Sequence, residues 1–195
     1  DQGYGVNTKI KRTLKYGDFD YMKIDLDFYI NKKLGPFSIY TRHRFESIHG
    51  NDIPNQEELG IFNISNFYLM GSQTPGREYM SPRGYSRESR KGKNAYMGSV
   101  EFRAPVLPLN VIEVLKVINF GRPTVALISD FADAWTTGEN RQKLIIQAGA
   151  ELRFSILLTT LPVLTFSYGW AQSIEDYRNN VIPNSYFQLT LINPF

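Results

Sequence analysis

The chain contains no cysteine, so neither a disulfide framework nor a thiolate metal site can be built from it. That absence suits an oxidising compartment managed without disulfides and an ordinary cytosolic protein equally. Histidine is almost as scarce. His43 and His49 are the only two, and no second ligand stands at metal spacing from either, so no metal and no cofactor is expected. No Ser-His-Asp arrangement or activated nucleophile stands out, so the chain is not read as an enzyme. His43 is at most a faint candidate for hydrolase chemistry. The net charge of +3 is too small to argue for nucleic acid. No run approaches the ~18 apolar residues of a membrane helix. No basic, apolar, small-residue leader opens the chain, so any signal peptide is expected to have been removed already. None of this excludes a membrane, because a barrel strand shows only every second residue to lipid.

What the chain does have is aromatic residues and a period of two. Twelve Tyr and thirteen Phe lie among 195 residues, a length that suits one domain or half of a larger one. In "YMKIDLDFYINKK", Met22, Ile24, Leu26, Phe28 and Ile30 alternate with Lys23, Asp25, Asp27 and Tyr29. "FSIYTRHRFES" sets Ser38, Tyr40, Arg42, Arg44 and Glu46 against Phe37, Ile39, His43 and Phe45. "AYMGSVEFRAP", "TVALISDFADAW", "LIIQAGAELRFSI", "LPVLTFSYGWAQ" and "YFQLTLINPF" continue the pattern, with "TKIKRTLKY" a weaker first strand and "GIFNISNFYLMG" a strand of uncertain phase. The sum is roughly eight strands of about ten residues, the length a tilted strand needs to cross a bilayer. One segment differs. "PLNVIEVLKVINF" places Val111, Ile112, Val114, Leu115 and Ile118 at helical spacing behind Pro108. It reads as a short amphipathic helix, either at a membrane surface or plugging the end of a soluble barrel.

The fold class is therefore all-β, an antiparallel meander that could close as a barrel in lipid or in water. Full charges on the polar faces favour lipid, since Lys23, Asp25, Asp27, Arg42, Arg44, Glu101, Arg103, Glu151 and Arg153 could pair across a wet lumen. Tyr16, Tyr21, Tyr96, Trp135, Trp170 and Tyr186 recur near strand ends, where an interfacial girdle would need them. The last strand alternates Phe187, Leu189 and Leu191 and ends on Phe195, as outer-membrane barrels commonly do, so these residues are expected to act as an assembly signal.

Between these strands, "PRGY" (Pro82 to Tyr85), "SVEFRAP", "ISDFADAW", "AGAELRF" and "FQLTLINPF" occur in an order that resembles the Omp85 superfamily, the bacterial surface antigen barrel. The resemblance covers about Met80 to Phe195, the C-terminal half of such a barrel. It implies a long loop, residues 72–93, directed into the lumen with Arg83, Gly84 and Tyr85 at its tip. It also implies that Arg83 meets acids from two following strands, which by position are Glu101 and Asp130. The chain departs from the family pattern at Pro82, usually aliphatic, at Ile128, usually aromatic, and at Ala132, usually Gly.

Family barrels have sixteen strands, whereas this chain supplies about eight. The whole of 1–195 is read as one barrel domain. Either it is the C-terminal part of a longer protein or two copies share a barrel; in a small closed barrel the loop would stay outside. The expected setting is the outer membrane of a two-membrane envelope. The expected partners are its lipids and lipopolysaccharide, further barrel strands, and client or partner proteins. The implied role is protein insertion or translocation, or anchoring of a partner domain. A small structural or porin-like barrel and a soluble ligand-binding barrel are the alternatives.

Overall fold

The computed structural model describes residues 3–13, 19–54, 57, 59–61, 67–70, 82–85, 90–106, 112–113, 118–138, 143–158 and 161–191. Eight long strands dominate it: β1 (Gly3–Arg12), β2 (Asp20–Leu34), β3 (Phe37–Asp52), β7 (Asn94–Pro105), β10 (Thr124–Trp135), β11 (Ile145–Leu158), β12 (Leu161–Ser173) and β13 (Asn184–Leu191). They pair antiparallel in the order β1-β2-β3-β7-β10-β11-β12-β13. Five short strands, β4 (Leu59–Ile61), β5 (Phe67–Met70), β6 (Arg90–Gly92), β8 (Ile112–Glu113) and β9 (Ile118–Phe120), and one short helix are also described. Among the described residues the sheet does not close: β1 lies at one end of the path, and β5, parallel to β13, at the other.

Because side chains alternate across a strand, the register fixes two faces. Asp25 and Asp27 of β2, Arg42, Arg44 and Glu46 of β3, and Ser99, Glu101 and Arg103 of β7 share one. Asp130 of β10 and Gln147, Glu151 and Arg153 of β11 continue it. The other face carries Leu26, Phe28, Ile39, Val100, Phe102, Leu127, Phe154, Tyr168 and Trp170, all at least 36% exposed. Charge is thus buried and hydrocarbon exposed. Glu46, Glu101, Asp130 and Glu151 are each 5% exposed or less, whereas Leu127 is 58% exposed.

Cover on the charged face comes from three described parts of the connection between β3 and β7: β4, β6 and residues 82–85. β4 and β6 pair with each other as a separate two-stranded sheet. Leu59 and Ile61 pack with Ile48, Tyr85, Ala132 and Ile145 in a small apolar core. β6 presses so closely on the end of β10 that a Cβ on Gly92 would lie 2.4 Å from the Trp135 backbone.

Three expectations need correction. The predicted helix near 108–118 is not present at its described positions: Ile112–Glu113 pairs antiparallel with Ile118–Phe120, and β9 pairs in turn with β11. The segment is rich in β-branched residues, whose stiff side chains suit a pleated strand better than a helix. "GIFNISNFYLMG" is not one ladder strand, since its described parts belong to β4 and β5, which pair with different partners. Tyr21 and Tyr186 do not join a girdle. They are 5% and 1% exposed and lie on the charged face, two residues along their strands from Lys23 and Gln188. Tyr96, Trp135 and Trp170 do lie on the apolar side, and Tyr16 falls outside the described residues.

Candidate functional site

Pro82 to Tyr85 form a tight turn, with the Tyr85 N–H donating to the Pro82 carbonyl at 3.2 Å. Gly84 stands at its third position with φ +69°, the left-handed backbone such a turn requires and glycine adopts without a Cβ clash. An added Cβ would also meet Ala171 at 3.2 Å and the Tyr186 ring at 3.4 Å. Asn184 fixes the turn from β13 by donating from Nδ2 to the Gly84 carbonyl at 3.1 Å. Tyr85, 4% exposed, enters the apolar core beside Ile61 and Ala132. Substituting Gly84 with alanine is expected to cost about 1–2 kcal/mol from the backbone alone. Denaturant unfolding measures it, and an unchanged midpoint would contradict the turn geometry.

The turn points Arg83 at the charged face, where all five guanidinium N–H donors are used. Nε donates to Asp130 Oδ2 at 2.9 Å and Nη2 to Asp130 Oδ1 at 2.6 Å, the two-pronged geometry that makes arginine–carboxylate pairs strong. Nη2 also donates to Ser99 Oγ at 2.6 Å. Nη1 donates to Glu101 Oε1 at 2.7 Å and to Glu151 Oε2 at 3.1 Å. The Arg83 backbone N–H adds a bond to Asp130 Oδ2 at 3.0 Å, and Ser99 donates its hydroxyl proton to Asp130 Oδ1 at 2.8 Å. Burial pushes the guanidinium pKa down, but Asp130, Glu101 and Glu151 more than reverse this and leave it well above the ordinary arginine value. Arg83 is therefore a fixed cation.

Two further arginines complete the charge balance. Arg153 donates from Nη1 to Glu101 at 2.8 Å and from Nε to Glu151 at 3.0 Å. Arg103 donates from Nε to Glu101 at 2.7 Å and stacks over the Tyr40 ring, 4.4 Å from its centroid. Three cations thus face three carboxylates in one buried cluster. Such a cluster offsets the large cost of removing charge from water because every donor of the buried Arg83 guanidinium has its acceptor, although Glu151 Oε1 stays buried without a partner. The elements matter as much as the residues: β7, β10 and β11 are adjacent, so Ser99, Asp130 and Gln147 lie side by side across the sheet.

A second ionic anchor of opposite polarity lies at the root of the connection. Glu57 pairs with Lys11 of β1 and lies 3.9 Å from Lys23 of β2. Nearby, Arg44 donates to Asp25 at 2.6 Å, Arg42 to Asp27 at 2.9 Å, and Lys23 pairs with Glu46 at 3.1 Å.

Of the residues singled out from sequence, Arg83, Gly84, Tyr85, Glu101 and Asp130 are brought together. Phe187 and Leu189 lie in β13, which Leu191 ends, while Phe195 falls outside the described residues. Residues 72–81 and 86–89 of the loop also lie outside them. Arg90, one of the loop's basic residues, donates to the Lys143 carbonyl at 2.5 Å and stands 3.9 Å from Asp133. His43 is held between Tyr96 and Thr41, each at 2.9 Å, on the apolar side. Neither protein-family models nor curated proteins match the chain. Glu151 and Arg153 stood out in the sequence only as charges able to pair across a lumen, not as members of the Arg83 cluster, and Ser99 and Glu57 were not expected as partners. One signal for Glu151 was available: Glu101-Phe-Arg103 and Glu151-Leu-Arg153 repeat a Glu-x-Arg spacing on the two strands that flank Asp130.

Proposed function

We propose that this chain is part of a transmembrane β-barrel of Omp85 type in an outer membrane, acting in protein insertion or translocation at that membrane. The observation that carries the reading is the inversion of the sheet, with charges buried and large apolar side chains exposed. In a water-soluble barrel or sandwich the apolar side chains line the interior, so a soluble ligand binder would require the opposite arrangement. An outward apolar surface and a polar interior suit a barrel in lipid. The order of the motifs around Arg83 supports the family reading, and so does the fork of Arg83 onto Asp130 and Glu101.

The connection that covers the charged face favours a barrel larger than eight strands. The interior of an eight-strand barrel is nearly filled by its own side chains. The space taken by β4, β6 and the Arg83 turn therefore implies further strands, from more of the same protein or from a second copy. In this reading the chemistry is non-covalent. Client polypeptide passes or exchanges strands at the barrel wall, and the Arg83 clasp holds the interior in one conformation.

The test is reconstitution of the protein into phospholipid vesicles, with the insertion rate of a second, unfolded outer-membrane barrel as the readout. Faster client insertion than in empty vesicles is expected. Folding of the protein into the vesicles without any acceleration would rule out the insertion role and leave a structural or porin-like barrel.

A further inference from the structure

The connection between β12 and β13 is built as a rigid apolar projection. It opens with α1 (Ile174–Arg178). Ser173 caps the helix, accepting from the Asp176 N–H at 3.0 Å and donating to the Asp176 carboxylate at 2.6 Å. At the other end the Asn180 N–H donates to the Tyr177 carbonyl at 3.2 Å and the Val181 N–H to that of Asp176 at 3.0 Å, with Asn180 at φ +54°. This pair of bonds around a left-handed residue is a Schellman termination, which fixes the direction of the departing chain. Gln172, on the apolar side of β12, then donates to the Val181 carbonyl and ties the connection to that side of the sheet.

What this framework holds in place is largely exposed hydrocarbon. Ile174 is 44% exposed, Tyr177 73%, Val181 49% and Ile182 83%. Ile174 and Tyr177, three residues apart, share a side of the helix, whereas Glu175 and Asp176 turn away. Arg178 is exposed beside them. Trp170 and Tyr168, in edge contact at 4.9 Å and about half exposed, continue the same surface down β12.

We propose that residues 174–182 form an interfacial anchor, with Tyr177, Val181 and Ile182 inserted among lipid headgroups and upper acyl chains and Arg178 directed to phosphate. The proposal rests on the lipid reading of the apolar face, with which this surface is continuous. Capped, tied and apolar, the connection has the features of a short amphipathic element lying in a membrane interface, where such faces sit about 5–10 Å deep. In water the same construction would fix an unfavourable surface in place.

The absence of cysteine makes the test direct. Leu127→Cys on the sheet, Ile182→Cys on the anchor and Thr137→Cys in the exposed β10–β11 turn are each labelled with an environment-sensitive fluorophore. The labelled proteins are folded into phosphatidylcholine–phosphatidylglycerol vesicles containing nitroxide lipids, quenched either near the glycerol or deep in the chain. The label at 182 should lose most of its emission to the shallow quencher, that at 127 to the deep one, and that at 137 little to either. A label at 182 as unquenched as that at 137, with 127 still quenched, overturns the anchor and leaves the lipid reading standing. Shallow quenching at 137 equal to that at 182 also overturns it, since the whole strand end would then be immersed. No quenching at 127 overturns both.

Discussion

Replacing Arg83 with alanine is expected to destabilise the protein by about 3–5 kcal/mol, the usual cost of removing one partner from a buried ion pair. The size of the effect follows from what is left behind. Arg103 and Arg153 still neutralise Glu101 and Glu151, but neither reaches Asp130 in the hydrogen bonds of the cluster. Asp130, 1% exposed, keeps the Ser99 hydroxyl and loses the guanidinium fork. Lysine at position 83 should recover only part of the loss, because an ammonium supplies charge without five donors in a planar fork. The double variant R83A/D130N should be less damaged than the sum of the single variants, since it removes the stranded carboxylate together with its partner. Denaturant unfolding of the lipid-folded protein measures the loss, and limited proteolysis of the 53–93 connection reports where it falls. Wild-type stability and an unchanged cleavage pattern in R83A would contradict the clasp.

Substituting Leu127 with arginine should produce the second large effect, and its sign depends on the solvent. Leu127 is 58% exposed, three residues inside the start of β10, a central strand of the sheet. At such a position in a water-soluble protein a charged residue changes stability by about 0.5 kcal/mol or less. On a lipid-facing strand it costs about 2–4 kcal/mol at the bilayer midplane and less toward the interfaces. A clear loss of folding into vesicles is therefore expected for L127R, measured by the denaturant midpoint against wild type. The polar exchange T137R at the strand end should be nearly silent in the same assay. Equal stability of L127R and wild type in vesicles would contradict lipid contact at this face.

Much of the fold could be read from the sequence because a period of two leaves little freedom. Once Met22, Ile24 and Leu26 share a face, Lys23, Asp25 and Asp27 must share the other, and the observed pairing keeps that division across eight strands. The same logic corrects the girdle. Tyr186 adjoins Phe187, so the two cannot face the same way, and their position near a strand end says nothing about which face either takes. Short apolar runs carry less information. Val111, Ile112, Val114 and Ile118 fit a helical stripe, yet their β-branched side chains fit a strand at least as well, and pairing with β11 decides the matter. The five-residue α1 escaped for the converse reason: it is too short to show a period, and its signals are the N-cap Ser173 and the left-handed Asn180 just past its C-cap. At the site, Glu101 and Asp130 were found through the family resemblance. Glu151 lies one strand further on, and its role depends on three strands being adjacent, which local sequence does not state.

The most direct test of the account is gel mobility of the lipid-folded protein in detergent, with and without boiling. A barrel with an apolar exterior and an ion-clasped interior keeps its fold in cold detergent. The prediction is a compact, shifted band in the unheated sample that moves on boiling to the position of the unfolded chain. A single position in both samples, with the protein recovered in the aqueous rather than the lipid fraction, would contradict the claim that the exposed apolar face meets a membrane.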